Sequence, residues 1–393
     1  MNSKERIALA MAHEKPDRVP VMCQLALGHY FLYSGFSPVD IWFDSETFVK
    51  ALLDRQKAYG FDGILINLPG RPENWKSYIV SCQDDNDKIV VKWKNGLTTI
   101  IPPDDNPYTY SGENDELERL DYQKLDSICS EMFRLPGYVW NSWHSPCLWD
   151  IDQQQSLENS SDYPKWFVNA LVTAKQMAPD ISIHAEVLSP FTHLMELLGY
   201  QNALMALLDV PEKCHQLLSV LTRQVKAQID CYAEHRPDAI LVSSAFAGAG
   251  FISREFYSDF VLPYEREIAL HIQSYDIFSY VHTCGAIGDR LDLMRESKTQ
   301  GIDTLDPPPL GTVDLAKAKS EFGQCFFFKG NLDAVNDMLG ADDQRFELAV
   351  RERLEIGMPG GGYILSSACS VSPYVKPERL KKLVQLGKEY GRY

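Results

Sequence analysis

Short apolar runs of strand length alternate with segments of helical period along almost the whole chain. The runs are VPVMCQLA, FDGILINL, ISIHAEVL, DAILVSSAF, IFSYVHTCG, GIDTLDPPP, CFFFKGNLDA and GYILSSACS. A strand, a helical crossover and a second strand make a parallel pair, because a tight turn cannot return the chain to the same direction. No Gly-rich dinucleotide fingerprint follows the first run, and no phosphate-loop motif occurs anywhere. The repeat therefore predicts an α/β fold, a (β/α)8 TIM barrel rather than a doubly wound sheet. Helices are expected from Lys4 to His13, capped by Ser3, from Ser45 to Tyr59, and over 162–177. A longer helical stretch from Phe191 to His235 should break at Gly199 and Pro211. The first strand is expected to end near Gly28-His29-Tyr30.

One stretch breaks the rhythm. Residues 69–146 contain SYIVSCQDDNDKIVVKWKNGLTTIIPP, which reads as antiparallel strands turning at Asp-Asp-Asn-Asp and at Asn95-Gly96. Trp75, Trp93, Trp140 and Trp143, with Trp149 just beyond, make it aromatic-rich. We read the chain as a single barrel domain over 1–393 with this insertion within it. The insertion is either a decorating hairpin or a lid or wall over the substrate.

In such barrels the chemistry sits at the C-terminal strand ends. Those ends carry His29, Asn67, Glu186, Ser244, His282, Cys284, Asp306, Asn331, Asp333 and Cys369. Tyr280–Gly288 reads YVHTCGAIG, so His282 and Cys284 leave a strand two residues apart and on one face. An imidazole beside a thiol is a metal-ligand pair, although buried thiols and hydrogen-bonded histidines produce the same pattern. Cys369 also follows an apolar run, and in a parallel barrel all three would meet at one mouth. Two thiolates and one imidazole leave one tetrahedral position open, the form of a catalytic zinc site. Glu186 would fill that position at rest or act as acid or base; a plain hydrogen-bonded carboxylate is the alternative. Asp306 would either orient His282 through its second ring nitrogen or stiffen its own loop. Asn67 is a candidate substrate contact, and His184 and His193 read as structural.

The formal net charge is −16 and the pI about 5.0, which argue against nucleic acid and an anionic membrane surface as partners. No run approaches a membrane span and no signal-like apolar run opens the sequence. The nine scattered cysteines fit a reducing cytoplasm better than a disulfide framework.

RIALAMAHEKPDRVPV, SREFYSDFVLPYEREI, GNLDA and VSPYVKPERLKKLV resemble the uroporphyrinogen decarboxylase superfamily, which also holds the zinc- and cobalamin-dependent methyltransferases. The resemblance implies a barrel over nearly the whole chain. It also points to a branch. Decarboxylases carry PVWFMRQAGRY after the first strand, with two arginines for substrate carboxylates, where this chain has PVMCQLALGHY and places Leu25 and His29. Their LFSDI aspartate is missing from LINLPG, and their late histidine is replaced in SSACS. The methyltransferase mark, His-x-Cys and a distant Cys, is met by His282, Cys284 and Cys369. By this resemblance the three ligands bind zinc (Zn2+), and His29 and Tyr30 border the substrate. Asn331 and Asp333 match the GNLDP pattern, with Ala334 for Pro, and are read as fixing a loop. No Asp-x-His-x-x-Gly segment is present, so the corrinoid (cobalamin) is expected on a separate protein. The resemblance implies methyl transfer between a small molecule (a methyl ether, methanol or a thiol) and that corrinoid. A decarboxylase of another carboxylated substrate and a non-catalytic metal- or corrinoid-binding barrel are the competing readings.

Overall fold

A computed structural model describes residues 1–111, 122–123 and 157–393. The strands are β1 (Gly63–Ile66), β2 (Ile79–Asp85), β3 (Lys88–Trp93), β4 (Leu97–Ile101), β5 (Tyr108–Ser111), β6 (Ser182–Leu188), β7 (Ala239–Ser243), β8 (Phe278–His282), β9 (Gly301–Thr304), β10 (Phe327–Leu332) and β11 (Tyr363–Ser367). Seven of them form one parallel sheet in the order β1-β6-β7-β8-β9-β10-β11. Helices cover its outside, so most of its strands are buried on both faces and read as apolar runs in the sequence.

The run expected as the first strand closes the curl without forming a regular ladder. Val21 bridges Leu365 and Leu25 bridges Val371, both parallel. On the other side the Asp62 N–H donates to the Val21 carbonyl at 2.8 Å. The Val21 N–H donates instead to the Asp62 carboxylate, also at 2.8 Å. That carboxylate, fully buried, accepts from Arg6 Nη1 at 2.7 Å and from both terminal nitrogens of Arg18 at 2.8 Å. The charged residues of RIALAMAHEKPDR thus staple the barrel seam.

The N-terminal helix spans Ser3–Met11 and is capped by Asn2, not Ser3. The Asn2 side chain accepts from Glu5 N–H while Glu5 reaches back to the Asn2 N–H, a capping box. Its Ile7, Ala10 and Met11 plug the bottom of the barrel against Met22, Leu65, Leu241, Tyr280, Phe327 and Ile364. The helix expected at 45–59 spans Ser45–Tyr59 and stops at Gly60, whose φ of 84° suits a left-handed terminus. The helical stretch after β6 breaks at Gly199 and before Pro211, as the sequence indicates.

The insertion is an antiparallel sheet in the order β2-β3-β4-β5, turning at Asn86-Asp87 and at Gly96. Trp75 and Trp93 are buried and pack on Phe43. Trp140, Trp143 and Trp149 lie outside the described residues. No helix among the described residues is long and apolar enough to cross a membrane.

Candidate metal centre at the barrel mouth

Parity along the strands decides what faces the barrel axis. Leu65, His184, Leu241, Tyr280, Phe327 and Ile364 point inward in the lower layers. Two residues further along the same strands come Asn67, Glu186, Ser243, His282 and Lys329. On β9 the inward pair is Gly301 and Asp303, because a side chain at 301 would strike the Phe327 ring at 2.3 Å. The register sets Ser243 beside His282, His282 beside Asp303, and Asp303 beside Lys329.

His282 ends β8 and is buried. Cys284 follows in a turn that Gly285 opens with φ 76°. Cys369 follows β11. Cys284 Sγ lies 3.4 Å from His282 Nε2 and 3.7 Å from Cys369 Sγ. The three ligand atoms lie within 4.8 Å of one another, and they are the only such His/Cys/Asp/Glu group among the described residues. A tetrahedral zinc ion with ordinary bond lengths sets its sulfurs about 3.75 Å apart and its sulfur and nitrogen about 3.55 Å apart. The donor set suits that ion, and these two separations lie close to its values.

The electrostatics favour a cation too. Burial lowers the proton affinity of His282, but Asp303 and Cys369 hold its pKa up to about 10. The Cys369 thiol sits well below its ordinary range, chiefly because Cys284 donates to it, with His282 adding to the effect against burial. Cys284, the donor, is held well above by its bond to Cys369 and by desolvation. Two sulfurs at this distance share one proton until a cation replaces it.

The residue that orients His282 is Asp303, not Asp306. Asp303 Oδ2 meets His282 Nδ1 at 3.1 Å, leaving Nε2 for a metal. Asp303 Oδ1 accepts from Lys329 Nζ at 2.8 Å. Asp306 Oδ2 accepts from the Gly285 N–H at 2.7 Å and so fixes the turn that carries Cys284. Burial raises the Asp306 carboxyl to about 6. An acid in one barrel strand and a lysine in the next, each inside an apolar run, were the sequence signal for the Asp303–Lys329 pair.

The ligands open on a cavity of about 320 Å³. Glu186 lines it, buried, with its carboxyl raised to about 7 by desolvation against the opposing effects of His282 and a bond to Ser243. It lies outside the cluster of three ligand atoms. Asn67, Gln24 and Asn106 supply amides, and Leu25, Trp42, Leu68 and Leu188 an apolar wall. No lysine or arginine is among the described residues that line it. Asp105 and Asn106 come from the β4–β5 loop, so the insertion walls the mouth. A Cβ at Gly28 would fall 2.0 Å from the Asp104 carbonyl oxygen, which is how closely that loop lies.

His29 does not line this cavity. The chain turns into helix Leu27–Tyr33 there, and His29 is fully buried with Nε2 2.7 Å from the Tyr59 hydroxyl. Tyr30 lines a separate narrow recess with Cys23, Gln24 and Asn67. His184 is buried between Tyr280 and Ser182, and burial lowers its pKa to about 4. Asn331 donates to the Leu305 carbonyl, and Asp333 accepts from the Val335 and Asn336 N–H groups. Both hold loops.

The family profile described as uroporphyrinogen decarboxylase (URO-D) matches residues 143–390. A methylated-thiol–coenzyme M methyltransferase of Methanosarcina mazei is 27% identical over 201 residues, 51% of this chain and 51% of that protein. A methylcobamide:CoM methyltransferase of Methanosarcina acetivorans is 26% identical over 157 residues, 40% of this chain and 43% of that protein. A uroporphyrinogen decarboxylase of Thioalkalivibrio sulfidiphilus is 27% identical over 182 residues, 45% of this chain and 49% of that protein. The chain thus spans about half the length of the curated relatives it matches. A solved methyltransferase from Methanosarcina mazei superposes with a TM-score of 0.69 over 99% of both chains at 15% identity, which establishes a shared fold.

Proposed function

The chain belongs to the uroporphyrinogen decarboxylase family, and within it we propose a zinc-dependent methyltransferase that moves a methyl group between a small molecule and the cobalt of a corrinoid carried on a separate protein. The observation that carries this reading is the gathering of the three ligand atoms within 4.8 Å, with two of their separations, 3.4 and 3.7 Å, close to the values of a tetrahedral zinc site. His282, Cys284 and Cys369 hold the ion. When bound, zinc supplies Lewis acidity at its open position, for a substrate thiol or for the oxygen of a methyl ether or methanol.

The chain's own residues do the rest. Asp303 keeps the proton of His282 on Nδ1. Glu186, poised at about 7 inside the cavity, takes a proton from the substrate or returns one to it. Ser243 holds its carboxylate. The apolar wall from Leu25 to Leu188 excludes water around the methyl group, and the amides of Asn67 and Gln24 orient the polar end. About 320 Å³ suits a small molecule. A corrin macrocycle would be too large for this cavity and would be presented at its mouth by a carrier protein. Where the decarboxylases carry two arginines for substrate carboxylates this chain has Leu25 and His29, which supports methyl transfer over decarboxylation. This reading takes 1–393 as one barrel domain with the insertion at 69–146.

The test is zinc content of the wild type and of a Cys284→Ser/Cys369→Ser variant, followed by corrin absorbance with methylcobalamin and a thiol. One zinc per wild-type chain, lost in the variant, with thiol-dependent demethylation of the corrin, is the expected result. A wild type that holds no zinc after reconstitution under reducing conditions overturns the reading. So does decarboxylation of a carboxylated substrate that is indifferent to Cys284→Ser.

A further inference from the structure

Two opposite charges sit inside the barrel wall, where apolar side chains are the rule. Asp303 and Lys329 are each 2% exposed and face each other in register across β9 and β10. A buried ion pair recovers little more than its desolvation cost, and apolar residues of similar volume often serve stability as well. Stability alone therefore does not explain the pair. Its geometry does more. Asp303 Oδ1 is held by Lys329 Nζ at 2.8 Å and by the Thr304 N–H at 3.0 Å, which leaves Oδ2 aimed at His282 Nδ1.

From this geometry we infer that Lys329 is a positioning residue of the proposed zinc centre, acting on His282 through Asp303. The inference rests on the zinc reading above. Lys329 does two things. It fixes the carboxylate so that the imidazole ring cannot rotate its Nε2 away from the two sulfurs. It also cancels the carboxylate's charge. Two thiolates neutralise a divalent cation, so an unpaired Asp303 would leave a net negative charge buried beneath the site. With Lys329 the assembled centre is neutral and Asp303 serves as an acceptor only.

The experiment is a double-mutant cycle read by zinc affinity, measured by competition with a chromophoric chelator. The proteins are the wild type, Lys329→Met, Asp303→Asn and the double variant. Each single variant should bind zinc about 10- to 100-fold more weakly, the range for groups that orient metal ligands. The double variant should bind within about twofold of Asp303→Asn, because among the described residues the Lys329 side chain bonds to Asp303 and to none of the three ligands. The cobalt(II) ligand-field spectrum should shift in Lys329→Met, reporting a reoriented imidazole. The double variant contains no buried unpaired charge, so it keeps the comparison open if Lys329→Met fails to fold; its agreement with Asp303→Asn is then the deciding result. Zinc affinity within twofold of wild type in Lys329→Met, together with a lowered Tm, marks a purely structural pair and overturns the inference. Losses that multiply in the double variant overturn it as well. A wild type that binds no zinc overturns the zinc reading itself, a result distinct from either.

Discussion

Zinc affinity should rise about a hundredfold per pH unit near neutrality, because binding expels two protons. The cation-free site carries those protons at defined atoms. Of the two sulfurs, which share one proton, Cys369 has its thiol held well below its ordinary range by the Cys284 donor and then, against burial, by His282. Cys284 holds one proton, kept on by its bond to Cys369 and by burial. His282 carries a second on Nε2, since Asp303 and Cys369 outweigh burial and hold its pKa at about 10. A cation that takes all three ligands displaces both and leaves Nδ1–H on Asp303. Each proton contributes about 1.4 kcal/mol per pH unit, so two give about 2.7 kcal/mol. Between about pH 6 and 8 the apparent affinity should rise by about four decades. The sign follows from the pKa values: both groups are protonated below them, so raising the pH removes a competitor. Chelator competition across that range gives the slope, and calorimetry in buffers of different ionisation enthalpy counts the protons directly. Release of one proton or fewer per zinc would refute the assignment. In His282→Ala the slope should fall to one decade per unit.

Three further outcomes are expected. Asp62→Ala removes the shared acceptor of Arg6, Arg18 and the Val21 N–H at the barrel seam, and should cost about 3–5 kcal/mol by urea denaturation; a loss below 1 kcal/mol would show that the seam does not depend on it. Burial raises Glu265 from 4.5 to about 7 against bonds from Ser244 and Tyr257. Its folded value lies above its unfolded one, so its stabilisation is complete below about 4.5 and lost by pH 7, a fall of about 3 kcal/mol that Glu265→Gln should abolish in a pH series of urea midpoints. Gly28→Val would press on the Asp104 carbonyl and push the β4–β5 loop off the mouth, raising KM for the small substrate on the order of tenfold while zinc content stays at the wild-type value; loss of zinc would contradict this separation of roles.

Much of this site is legible one segment at a time. His282 and Cys284 share a strand end, and Cys369 follows another apolar run. Parallel strands open on one face, so these three were candidates for one mouth before any coordinates. Asn67 and Glu186 follow by the same reasoning. His29 does not, because the chain leaves the barrel two residues after Leu25 and enters a helix whose Ala26-Leu27 start carries no capping side chain. Asp303 was harder to see than Asp306, which stands nearer the end of its run beside three prolines. Only the register, which sets His282 against Asp303 and Asp303 against Lys329, distinguishes them.

The sequence by itself determined the local facts: where helices start and stop, which runs are strands, and which side chains share a strand face. Those follow from periodicity, capping and φ preferences, which act over a few residues. Tertiary structure alone decided the distances that give the site its chemistry: 3.7 Å between sulfurs from β8 and β11, the lysine beneath the aspartate, and the inserted loop against Gly28. Those depend on strand stagger and barrel closure, which sum over many weak contacts between segments far apart in the chain, and no short stretch of residues encodes that sum.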